Sequence, residues 1–134
     1  RDIEAAKAAL CTVPEGRFKA VAAHHPLACV PGFPRAEPAR RAAPALKAFA
    51  DCGVELIMSG HIHQSYAVES EAEGRRMLMV GAPTALSSRL RGEANGFWII
   101  HASDAAIECC LWLRAESHFM PASKKVFSRI GKDI

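Results

Sequence analysis

Two apolar runs of strand length, Phe18-Lys19-Ala20-Val21-Ala22-Ala23 and Val54-Glu55-Leu56-Ile57-Met58-Ser59, each stop at a histidine string. The first is followed by His24-His25-Pro26 and the second by Gly60-His61-Ile62-His63. Between them the alanine-rich stretch from Pro38 to Cys52 reads as helix. Proline is tolerated at a helix start and not inside it, so the firm helix begins near Pro44, with Leu46, Phe49 and Ala50 on its apolar face and Gly53 relieving the last turn. A strand, helix, strand order gives adjacent parallel strands in nearly every known case, which sets the two histidine strings side by side on one sheet edge.

Around this unit the pattern predicts further elements. Ile3, Ala6, Ala9 and Leu10 keep helical spacing, and Pro14-Glu15-Gly16 turns the chain. From Leu27 to Ala43, Pro31, Gly32, Pro34 and Pro38 predict an irregular loop hanging over the first histidine string. Ser65–Glu71 alternates weakly, and Arg76–Val80, Gly96–His101 and Ala106–Arg114 read as strands divided by glycine-rich turns, together an antiparallel meander. From Ser117 onward Lys124, Lys125, Arg129 and Lys132 predict a solvated basic tail, with a short amphipathic helix through Val126, Phe127 and Ile130 as the other reading. The fold class is α/β, divided into residues 1–116 and a basic tail over 117–134.

Composition narrows the function classes. The 134 residues carry seventeen basic and fourteen acidic side chains, a net charge of +3, too even for a nucleic acid polymer or a membrane to be the principal partner. No apolar stretch reaches membrane-spanning length. Five cysteines, an odd number without C-x-x-C spacing, argue against a disulfide framework and for a reducing, cytoplasmic setting. Cys109 and Cys110 would point to opposite faces of their strand and act as small hydrophobes. The chain opens at Arg1 in mid-helix, so further sequence is expected upstream.

Four of the six histidines fall in the two strings. Imidazole is the commonest metal-ligating side chain, and ligand sites of open α/β sheets form at carboxyl strand ends, so the first chemistry indicated is metal binding. In Ser87-Ser88-Arg89-Leu90-Arg91-Gly92, Arg89 and Arg91 would share one face of a strand and could hold a phosphate group bidentately; a solvated hairpin face is the competing reading. Gly81-Ala82-Pro83-Thr84, at a strand end, is placed to line the same site. His101 and His118 have no partner string and are read as a strand histidine and a tail histidine.

The order His-His-Pro, helix, Gly-His-x-His, antiparallel run resembles the C-terminal half of the calcineurin-like metallophosphoesterases over Phe18 to about Glu116. Gln64 after the second string makes the bacterial class III cyclic-nucleotide phosphodiesterases the nearest in look. The resemblance implies a two-sheet sandwich flanked by helices and a site for two divalent or mixed-valence ions of manganese, iron or zinc. It implies His24 and His61 as ligands of one ion, His63 as a ligand of the other, and His25 in a supporting position beside them. The family's Asp-x-His, Gly-Asp-x-x-Asp and Gly-Asn-His-Asp/Glu strings do not occur here, so no catalytic residue is assigned in this segment. The expected function is hydrolysis of a phosphomonoester or phosphodiester, cyclic nucleotides included, by metal-activated hydroxide in the intact protein. The upstream half of the domain is then the necessary partner, and the segment alone is expected to be inactive. The alternative is a metal-binding or interaction module without catalysis.

Overall fold

In a computed structural model, residues 2–34 and 36–129 are described. The elements are α1 (Asp2–Cys11), β1 (Ala20–Ala23), α2 (Ala42–Asp51), β2 (Leu56–Ser59), β3 (Tyr66–Ala72), β4 (Arg75–Gly81), β5 (Gly96–Ala102), β6 (Ala106–Ala115) and β7 (His118–Ser128). They form an α/β arrangement of two sheets, one in the order β1-β2-β4-β3 and one in the order β5-β6-β7. As expected, β1 and β2 are parallel and joined through α2, with Ala20 opposite Leu56 and Ala23 opposite Ser59. Helix α2 begins two residues before Pro44, which sits in the first turn, where backbone N–H groups need no intrahelical partner.

Alternation along β2 and β4 explains why both read as continuous apolar runs. Ile57, Met77 and Met79 face a core shared with Ala45, Phe49 and Ala50 of α2 and with Leu27 and Val30 of the loop. Leu56, Leu78 and Val80 face the other way, against Ile107 and Cys109 of the second sheet. A strand covered on both faces keeps no polar side.

Three expectations are corrected. The second half is not one meander, because β4 pairs antiparallel with β3 but parallel with β2, which places this hairpin in the first sheet. Residues after Ser117 are neither tail nor helix up to Ser128: they form β7, paired with β6 from Ala106–Ser128 to Ala115–His118 around a bulge at Leu111/Trp112. Lys125 Nζ crosses to the other sheet and donates to the Ala67 carbonyl at 3.1 Å, and Arg129 makes a two-point pair with Glu55 at 2.7 Å for each bond. Charges that read as solvated therefore clamp the two sheets together; Ile130 and Lys132 lie outside the described residues.

The third correction concerns the cysteines. Cys11 and Cys52 form a disulfide with a Cα–Cα distance of 4.7 Å, joining the end of α1 to the residue capping α2. They stand 41 positions apart in sequence, so no short spacing announces the pair. The five free thiols that suggested a reducing compartment are three, Cys29, Cys109 and Cys110. No helix among the described residues is long and apolar enough to cross a membrane.

Candidate metal centre

The site is built at the carboxyl ends of β1 and β2. The register that sets Ala23 beside Ser59 brings the two following strings together, and the Gly60 N–H donates to the His24 carbonyl at 3.0 Å. Beyond β2 the chain turns sharply: the Ile62 N–H donates to the Gly60 carbonyl at 2.7 Å, with His61 at φ 65°. His63 also lies in the left-handed region, at φ 63°. Such backbone is uncommon for a residue with a Cβ and is held only where surrounding contacts determine it.

Those contacts are visible on both sides of the turn. Below it, Ser59 and the buried Tyr66 share a hydroxyl hydrogen bond of 2.6 Å, and burial raises the Tyr66 pKa above its ordinary 10.0 although the Ser59 bond works against the shift. Above it, the loop between β4 and β5 is tied down: Gln64 Nε2 donates to the Arg91 carbonyl at 2.8 Å, and Ser65 gives both its N–H and its hydroxyl to the Glu93 carboxylate.

His24, His25 and His61 converge, with one ligand nitrogen from each lying within 4.8 Å of the others. Their ring centroids are 4.8 Å apart for His24–His25, 5.3 Å for His24–His61 and 4.0 Å for His25–His61. Nitrogens bound to one ion at about 2.0–2.1 Å would stand somewhat closer, a closure that rotation of exposed side chains supplies. Desolvation, then the positive fields of His25, His24, His63 and Arg91, lower the His61 pKa from 6.5, which keeps its lone pair available. The donor set is three exposed imidazoles, which fits one transition ion; no carboxylate belongs to the group among the described residues.

The remaining sequence candidates take other places. His25, expected beside the ligands, is one of the three converging rings. His63 lies outside the group, its Nδ1 3.1 Å from the Arg89 carbonyl. A carbonyl can only accept, so Nδ1 carries the proton and Nε2 of the neutral ring is left as the free nitrogen, the tautomer metal-ligating histidines commonly adopt. The Gly-His-x-His string is a turn rather than a strand extension, so alternation does not decide which way its histidines point.

Arg89 and Arg91 are not on a strand either; both lie in irregular chain and use their carbonyls to hold His63 and Gln64. Arg91 does reach the site, lining with His25, His61 and Gln64 a cleft of about 980 Å³. Gly81–Thr84 does not line it. Gly81 packs against the Tyr66 ring and accepts from Trp98 Nε1 at 2.8 Å, joining the two sheets instead. The far wall of the cleft comes from the proline-rich loop, with Phe33, Pro38 and Glu37. Glu37 was not singled out by the sequence, where it is one acidic residue in an irregular stretch; only the fold of the loop, anchored by buried Leu27 and Val30, brings it there.

A search of protein-family models and a search of curated proteins each return no match. Among solved structures the chain is similar to Vps29 from Entamoeba histolytica in three crystal structures. A single-substitution variant matches with 18% identity and a TM-score of 0.42, covering 66% of this chain and 47% of that one. A double-substitution variant matches with 15% identity and a TM-score of 0.45 over the same shares. The wild type complexed with zinc matches with 14% identity and a TM-score of 0.42, covering 67% and 47%. The chain spans about half the length of these structures.

Proposed function

We propose that the chain is the metal-holding C-terminal part of a calcineurin-like metallophosphoesterase and that the intact protein hydrolyses a phosphate ester, cyclic nucleotides being one candidate class. The observation that carries this reading is the meeting of His24, His25 and His61 at the carboxyl ends of two adjacent parallel strands. The order of the strings along the chain supports the family.

His24 and His61 would hold the ion, with His25 as a third nitrogen and His63 poised to offer Nε2 to a neighbouring ion. A divalent ion bound here supplies Lewis-acid polarisation of a phosphoryl oxygen. Arg91 faces the cleft with a cation suited to the substrate's phosphate, and Phe33 and Pro38 offer an apolar wall for its organic part. Three neutral imidazoles do not offset the charge of two dications, so the two-ion site belongs to the intact protein, with carboxylates from upstream. The absence of a carboxylate from the described group favours, as the second reading, a single-ion site without catalysis.

The test is metal binding by the chain together with hydrolysis by the protein extended upstream. Zinc or manganese titrated into the 134-residue chain should bind at one site, and His24→Ala or His61→Ala should weaken it at least about tenfold. The extended protein should hydrolyse bis(p-nitrophenyl) phosphate or 3′,5′-cyclic AMP with manganese, and His61→Ala should abolish turnover. Binding without turnover in the extended protein would establish the second reading, and no binding would overturn both.

A further inference from the structure

A second concave site lies at the other end of the same strands. The amino ends of β1, β2 and β4, with the turn after α1 and the end of α2, enclose a pocket of about 440 Å³. Its lining is dominated by cations, Arg17, Lys19, Arg75, Arg76 and Arg129, against Glu15, Asp51 and Glu55. Two of these cations are already answered: Arg129 is bound to Glu55, and Arg76 lies 3.7 Å from Glu69. Asp51 is likewise engaged, by Lys7 and Lys47 at 3.7 and 3.6 Å. Arg17, Lys19 and Arg75 have no carboxylate of the described residues within ion-pair distance, and Glu15 alone is left to face them.

Lys19 makes this imbalance more than a surface accident. It is only 8% exposed, and lysine is rarely buried unless paired. Its ammonium donates to the Cys52 carbonyl at 2.8 Å, a favourable place at the carboxyl end of α2, but this uses one of three N–H donors. A buried charge with two donors to spare, beside two uncompensated guanidinium forks, is a receptor for an oxyanion. The Arg75 guanidinium leans over the turn at Gly53, lying 3.9 Å from where a Cβ would stand on that residue. Gly53, at φ 74°, thus leaves room for it.

We propose that this pocket binds a small phosphorylated anion, its phosphate oxygens received by Arg17, Lys19 and Arg75. The site lies at the opposite sheet edge from the histidines and shares no lining residue with the cleft there, so the proposal does not depend on the metal reading. A pocket of this size suits a ligand of mononucleotide or diphosphate dimensions.

The experiment is calorimetric titration of the 134-residue chain with inorganic pyrophosphate and, separately, inorganic phosphate, in EDTA at physiological salt. Saturable one-site binding is expected, with Arg17→Gln and Arg75→Gln each weakening it about tenfold. Both substitutions are at exposed positions, and far-UV circular dichroism of each variant is to be compared with the wild type to check that the fold is kept. The His24→Ala/His61→Ala double variant should bind as the wild type does. Absence of saturable binding, binding unchanged by the arginine substitutions, or binding lost in the histidine variant would each overturn the proposal, the last by placing the anion in the histidine cleft.

Discussion

Cys109 and Cys110 are chain neighbours with opposite surroundings. The first is fully buried between the sheets, the second half-buried on the outer face, as strand alternation requires. Burial, with a smaller contribution from Cys110, pushes the Cys109 thiol up from 9.0 to about 11, against the opposing field of Lys125. The neutral thiol is thereby favoured in the folded state. Its contribution to stability is complete below pH 9 and lost as pH rises toward about 11. Thiolate is the nucleophile, so exclusion from solvent and a raised pKa act in the same direction. Under non-reducing conditions at pH 8, iodoacetamide should modify the exposed Cys29 in the native chain and leave Cys109 intact until denaturant is added. Peptide mapping by mass spectrometry checks this, and native-state modification of Cys109 at the rate of Cys29 would show that the two sheets do not seal it.

Helix α1 depends on a tether more than on its own periodicity. None of its residues is fully buried, and only Ile3, Ala6 and Leu10 touch the core. The Cys11–Cys52 bond and the Lys7–Asp51 ion pair fasten it to α2. With the two cysteines 41 residues apart, closure of that loop in the unfolded chain corresponds to about 4 kcal/mol in the chain-entropy account. Cys52→Ser should therefore lower the urea-unfolding free energy by about 2–4 kcal/mol, and reduction of the wild type should give the same loss. An unchanged midpoint would mean that α1 adds nothing to the cooperative unit. The elements themselves were legible to very different degrees. The β1-α2-β2 unit shows in the sequence because its apolar runs end at polar strings and Gly53 marks the helix end. Strand β7 does not, because the partners that make Lys125 and Arg129 structural, Ala67 and Glu55, lie 58 and 74 residues away. The same holds at the site: the strand order sets the two histidine strings together, but no spacing announces the left-handed backbone at His61 and His63, where His61 meets His24 and His25 and His63 lies against the Arg89 carbonyl.

The molecule holds as one unit only if its two sheets unfold together, and few side chains join them. Leu56, Leu78 and Val80 meet Ile107 and Cys109 in the shared core, Trp98 bonds to Gly81, and Arg129 closes the far end. Arg129 has a side chain 6% exposed; it is bonded twice to Glu55 and once to the Ser103 carbonyl, and it lies 5.4 Å from the centre of the Phe18 ring. The Glu55 bond, then the fields of Glu55 and Asp104, hold its pKa above the ordinary guanidinium value despite burial, so it stays charged at every accessible pH. Removing one member of a buried pair costs more than the pair itself contributes, because the remaining charge is left without a partner. Glu55 is part-buried and shares its pocket with other cations, so Arg129→Ala should lower stability by less than the full buried-pair cost, about 1–3 kcal/mol. In the wild type, far-UV circular dichroism and tryptophan fluorescence should report one coincident transition, since Trp98 sits at the junction and both signals depend on the same core. Two separated transitions would show instead that the first sheet, with the histidine cluster and the anion pocket, keeps its structure without the second. The clamp at Arg129 would then act locally, and the sites at both ends of β1 and β2 would owe their geometry to the helices and the first sheet alone.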